Sequence, residues 1–114
     1  MKREEFERLV EQALDGLPEK YARLVKNLVV IVEDYPLKDR REKREGLLMG
    51  EYIGVPLTER AAWDATPPDR IVLYQKNIEA VCGTEEEIRE EVRLTVIHEL
   101  GHYFGLSEEQ LEDV

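Results

Sequence analysis

TEEEIREEVRLTVIHELGHYFGLSEEQL, residues 84–111, sets Ile88, Val92, Val96, Leu100 and Phe104 four residues apart, the repeat of a single helix face. Thr84 followed by Glu87 forms a capping box, and Glu85 to Glu87 suit the positive end of the helix dipole. Gly105 is placed to end the helix in a left-handed turn. Ser107 with Gln110 forms another capping box, which predicts a short final helix through Leu111. The chain has 114 residues and two histidines, His98 and His102, and both fall on the C-terminal half of the long helix.

Residues four apart on an α-helix differ by only about 40° around the axis and about 6 Å along it, so the two imidazoles point the same way. Two neutral rings so arranged can share a metal ion, and zinc accepts nitrogen at about 2.0–2.1 Å. Glu99 is turned about 100° from His98, where it need not coordinate and can instead act as general base toward a water. A catalytic zinc site needs a third protein ligand. Glu108 is the leading candidate, because the pattern H-E-x-x-H-x-x-G-x-x-E lets Gly105 turn the chain and return a side chain three residues later. Glu109 and Glu112 are the other carboxylates within reach, and Glu108 can alternatively serve as a first-turn acid of the last helix. Two histidines and twenty glutamates scattered at random would yield HExxH in only about 0.3% of chains of this length. Histidines that merely pack near a helix end do not call for Gly105 or the acid after it.

Working outward, Phe6, Leu9, Val10, Ala13, Leu14 and Leu17 follow the spacing of a helix with one buried face, stopped at Gly16. Pro18 suits the first turn of a second helix carried through Tyr21, Leu24, Val25 and Leu28. LVVIVED is β-branched, short and apolar on both faces, as expected of a strand covered on two sides. LLMGEYIG is a second strand candidate, with Gly50 and Gly54 marking a bulge or a close backbone approach, and RIVLYQ is a third. Between them VPLTERAAWDATPPD reads as a long connection, in which Trp63 caps the core edge or overhangs a cleft. The sum is an α+β fold of one domain over residues 1–114: a small mixed sheet packed against N-terminal helices and the long HExxH helix.

Apolar residues make up 42% and charged residues 37%, the balance of a globular domain with a heavily ionised surface. A net charge of −10 repels phosphate backbones and excludes nucleic acid as a natural partner. The basic run KDRREKRE, 38–45, is interrupted by acids and lacks aromatic residues, so it reads as a solvated loop. The longest apolar run, Leu28 to Val32, is far too short to span a bilayer, and the charged N-terminus is unlike a signal peptide; a cytoplasmic chain with no membrane partner is expected. The lone Cys82 agrees with a reducing compartment and suits a small apolar role. Abundant Glu and Arg beside two Asn and three Gln predict thermostability.

TVIHELGHYFGLSEEQL resembles the signature of the bacterial zincin-like metallopeptidase family of small, minimal metzincin-like domains. FERLVEQALDGLP, VEDYP, LLMGEYIGVPLTER and PDRIVLYQK are similar to its other recurrent segments, in the same order, so the likeness covers nearly the whole chain. It implies an α+β zincin fold, zinc held at His98, His102 and Glu108, Glu99 as base, and a peptide or protein substrate. The family usually has aspartate where this chain has Glu108, and larger metzincins have histidine there and a methionine turn beneath the metal; here Met1 and Met49 both lie upstream. The substrate pocket is therefore expected from earlier segments, with RIVLYQ or LLMGEY supplying a strand edge and Tyr52, Tyr74 or Arg60 as a second stabiliser. A different reading of the same helix is a non-catalytic metal-binding module that recognises a protein partner without cutting it.

Overall fold

The computed structural model describes residues 1–26, 28–37, 47–54 and 69–105. Among the described residues, four helices, α1 (Arg3–Asp15), α2 (Glu19–Val25), α3 (Gln75–Val81) and α4 (Glu85–Tyr103), accompany three strands, β1 (Val29–Glu33), β2 (Gly50–Ile53) and β3 (Arg70–Tyr74). The sheet order is β1-β3-β2. β1 runs parallel to β3 with Val29 opposite Arg70, and β2 runs antiparallel to β3 with Gly50 opposite Leu73. The architecture is the expected α+β domain with a mixed sheet.

The apolar stripe of α1 and the four-residue repeat of α4 meet in the core. Phe6, Leu9, Val10 and Ala13 pack with Ile88, Val92, Val96 and Leu100, and the sheet adds Ile71 and Leu73 from beneath. Alternation along β3 sends Ile71 and Leu73 to the helical side and Val72 and Tyr74 to the other, and all four are buried. β3 is thus the strand enclosed on both faces. β1 is not: among the described residues it has one partner, its residues are half-buried or exposed, and Val29 is 47% exposed. Being apolar on both faces therefore does not make LVVIVED a central strand.

Thr84 caps α4 by accepting from the Glu87 N–H at 3.1 Å, while the Glu87 carboxylate reaches one residue further back, to the Gly83 N–H at 2.8 Å. At the other end Gly105 adopts φ 83°, the left-handed turn foreseen from its position. Phe104 is the last of the four-residue series but lies at the C-cap, 36% exposed, so the buried face ends at Leu100. α2 begins one residue after Pro18, which is its N-cap, and stops at Val25, short of Leu28.

Sequence patterning misses α3 altogether. Gln75 opens this helix instead of closing the strand, and its N-cap Tyr74 makes no side-chain cap. Long-range bonds specify it. The Lys76 N–H donates to the Asp34 carbonyl, Gln75 Nε2 to the Met1 carbonyl, and Asn77 Nδ2 to the Leu48 carbonyl at 2.8 Å. Arg3 completes the junction, donating to Gln75 Oε1, the Val32 carbonyl and Asp34 Oδ1. Ile78 then fills the core with no exposed surface.

Ile78→Ala is expected to cost about 2–5 kcal/mol through the cavity it leaves. Urea unfolding should show this as a lower midpoint at unchanged slope.

Candidate metal centre on the α4 helix

Two faces of α4 do different work. One is the core stripe; the other carries Glu91, Leu94, Thr95, His98 and His102, which share a side of the helix by their three- and four-residue spacing. Opposite that side lies β2. Gly50 makes the approach possible, because a Cβ there would sit 2.6 Å from Thr95 Cγ2 and 2.9 Å from the Val72 carbonyl oxygen. The close backbone approach anticipated at Gly50 is therefore real, and Gly54 is likewise crowded by the Asp69 side chain.

His98 and His102 are half-buried, with ring centroids 5.1 Å apart and planes at 80°. Glu99, one residue on, is 7% exposed. One donor atom from each of the three lies within 4.8 Å of the others, a separation a single cation can bridge. Two imidazoles one helical turn apart suit zinc, and the carboxylate beside them is near enough to reach a water on an ion held there.

The backbone of β2 holds the carboxylate. The Tyr52 N–H donates to Glu99 Oε1 at 2.8 Å. Because Tyr74 N–H bonds to the Met49 carbonyl, alternate β2 amides, including that of Tyr52, turn away from β3 and toward α4. Sequence reading looked to the Tyr52 side chain and missed this main-chain contact, since a strand amide is invisible until register and packing are known. The Tyr52 ring instead packs edge-on against Tyr103 at 5.8 Å between centroids. Tyr74 faces the opposite side of the sheet and donates to Glu51 Oε1 at 3.0 Å, so it is not brought to the site. β3 is the middle strand, so RIVLYQ offers no edge; β2 remains, while Arg60, Trp63, the run 38–45, the final helix and the carboxylates Glu108, Glu109 and Glu112 lie outside the described residues.

A family model described as zincin-like metallopeptidase matches residues 25–114. The chain belongs to the zincin-like metallopeptidase family. Among solved structures, it is similar to a conserved hypothetical protein from Thermus thermophilus, at 25% identity and a TM-score of 0.57, over 91% of this chain and 94% of that one. No curated protein matches it. The matched span of this zincin-like metallopeptidase includes the helix with its paired histidines, which also contributes Ile88, Val92, Val96 and Leu100 to the core. No helix among the described residues is long and apolar enough to cross a membrane.

A groove of 310 Å³, lined by His98 and Glu99, runs between β2 and the middle of α4, with Leu48, Met49 and Leu94 as its apolar walls. Glu91 lies along it, and its charge reaches the half-buried Cys82. Burial first, then Glu91 and Glu87, push the Cys82 thiol up from its ordinary value.

Two outcomes follow. Gly50→Ala should force β2 away from Thr95 and destabilise the fold by about 1–3 kcal/mol in urea titration, the usual scale of overpacking. Iodoacetamide should alkylate Cys82 with a pH midpoint above that of a free cysteine peptide, because the thiolate is disfavoured; a midpoint at or below it would contradict the assigned cause.

Proposed function

We propose that this chain is a zinc-dependent metallopeptidase in which His98, His102 and Glu108 hold the ion and Glu99 is the general base. The observation that carries the reading is the convergence of donor atoms of His98, Glu99 and His102 to within 4.8 Å of one another, with Glu99 pinned by a strand amide. Zinc, when bound, supplies Lewis acidity toward a carbonyl oxygen and makes water easier to deprotonate. The residues do the rest. His98 and His102 offer neutral nitrogens one turn apart, and the family match extends over Glu108, whose carboxylate would complete the ligand set.

Glu99 has one oxygen committed to the Tyr52 N–H, which removes rotational freedom from the carboxylate before any proton moves. A base so held needs little reorganisation to accept a proton from water and pass it to the leaving amine. The substrate class follows from the exposed side of the sheet. Among the described residues β2 is an edge strand, and it lies over the site, where an extended peptide laid along it would present its carbonyl to the histidine side of α4. The chain's negative charge disfavours nucleic acid in that place.

Purified zinc-loaded protein incubated with a diverse peptide pool should produce cleavage products by mass spectrometry. Glu99→Gln should cut turnover by about 100-fold or more while one equivalent of zinc stays bound. Zinc retained with undiminished turnover removes Glu99 from the mechanism, and zinc retained with no turnover in either protein favours the non-catalytic binding module. In calorimetry, Glu108→Ala should weaken zinc by at least about tenfold, whereas Glu109→Ala and Glu112→Ala should not.

A further inference from the structure

The groove beside the metal-site residues has a chemistry of its own. Leu48, Met49 and Leu94 give it apolar walls, Gly50 and Thr95 form its narrow side, and Glu91 lies among them. Glu91 precedes His98 by two helical turns, about 10 Å along the axis. Two nearby acids of this helix are matched by cations, Glu86 by Arg89 at 2.8 Å and Glu90 by Arg93 at 2.7 Å, while the Glu87 carboxylate accepts from the Gly83 N–H. Glu91 is in no ion pair among the described residues and meets only the Thr95 hydroxyl, at 3.5 Å. A half-buried carboxylate is thus left facing a partly apolar cavity that opens onto the peptide-binding side of β2.

We infer that this groove is a subsite for a lysine or arginine side chain of the peptide substrate, with Glu91 as the residue that selects it. The inference rests on the peptidase reading for its substrate class. A basic side chain fits the cavity's two characters: its aliphatic stem lies against Leu48, Met49 and Leu94 while its cationic head reaches the carboxylate. A peptide backbone running along β2 projects alternate side chains toward α4, which brings one of them to the groove mouth beside His98. A leucine there would cover Glu91 without partnering it, so the groove discriminates by charge as well as by size. Glu87, four residues earlier on the same side of the helix, adds to the negative potential sensed at Cys82. The overall charge of −10 also draws cationic peptides toward the site.

The test separates binding from turnover. Zinc-loaded Glu99→Gln protein is titrated by fluorescence anisotropy with fluorescein-labelled decapeptides in which lysine, glutamate or norleucine is scanned through every position. One position should favour lysine by about tenfold, the scale of one charge-assisted hydrogen bond. Adding Glu91→Gln should bring that ratio near one, and Glu91→Lys should turn the preference toward glutamate, with zinc stoichiometry and melting curves showing that each variant is folded. A ratio near one at every position, no binding of any peptide, or a lysine preference indifferent to Glu91→Gln would overturn the subsite. Lysine-selective binding by Glu99→Gln protein without turnover by the wild type would sink the peptidase reading and leave the subsite standing. Turnover without preference for a basic residue would do the reverse.

Discussion

A strand amide and a helix carboxylate meet at 2.8 Å between Tyr52 and Glu99, and the site depends on that contact. It joins two elements far apart in sequence and fixes the depth at which β2 sits over α4. Gly50 removes the atom that would hold them apart, and the register with β3 decides which β2 amides face the helix. The buried stripe of Val92, Val96 and Leu100 keeps α4 from rotating, so the histidine side stays turned to the groove. A hydrogen bond to a charged acceptor is worth roughly 1.5–3 kcal/mol. Its larger effect is to leave Glu99 with one orientation.

Much of this was legible in residues 84–111. Helical period, capping box and terminal glycine are local signals, and α4 carries all three with the histidines already in phase. The same holds for α1, whose apolar spacing matches its buried residues. Local signals fail where the specification comes from elsewhere in the chain. α3 has neither a side-chain cap nor enough length for a clear period; Met1, Asp34 and Leu48 hold it in place. Strand order shows the same limit: β1 and β3 are both apolar runs, and only pairing reveals that β3 is central and that β1, among the described residues, lies at an edge.

The candidate site divides along the same line. His98, Glu99 and His102 could be read from spacing because a single helix carries them. Tyr52 was noticed for its phenol, yet it serves through its backbone, and Tyr74 belongs to the other side of the sheet. Glu91 offered no sequence signal, being one acid among several in a charged helix. Only the cavity around it and the pairing of its neighbours with Arg89 and Arg93 distinguish it.

The parallel pairing of β1 with β3 has a consequence for the chain as it is synthesised. The register partners Val29 and Arg70 are separated by the whole β2 region, and α1 packs against α4, at the far end of the described residues. Contacts this remote close slowly, because the loop entropy must be met before burial compensates it. Until Ile88 to Leu100 emerge from the ribosome, Phe6, Leu9 and Val10 lack one wall of the core that encloses them. The segment bearing α1 therefore keeps part of its greasy side showing until α4 has been made, the kind of surface holdase chaperones bind, and the helix that bears the imidazoles is also the one that closes the core.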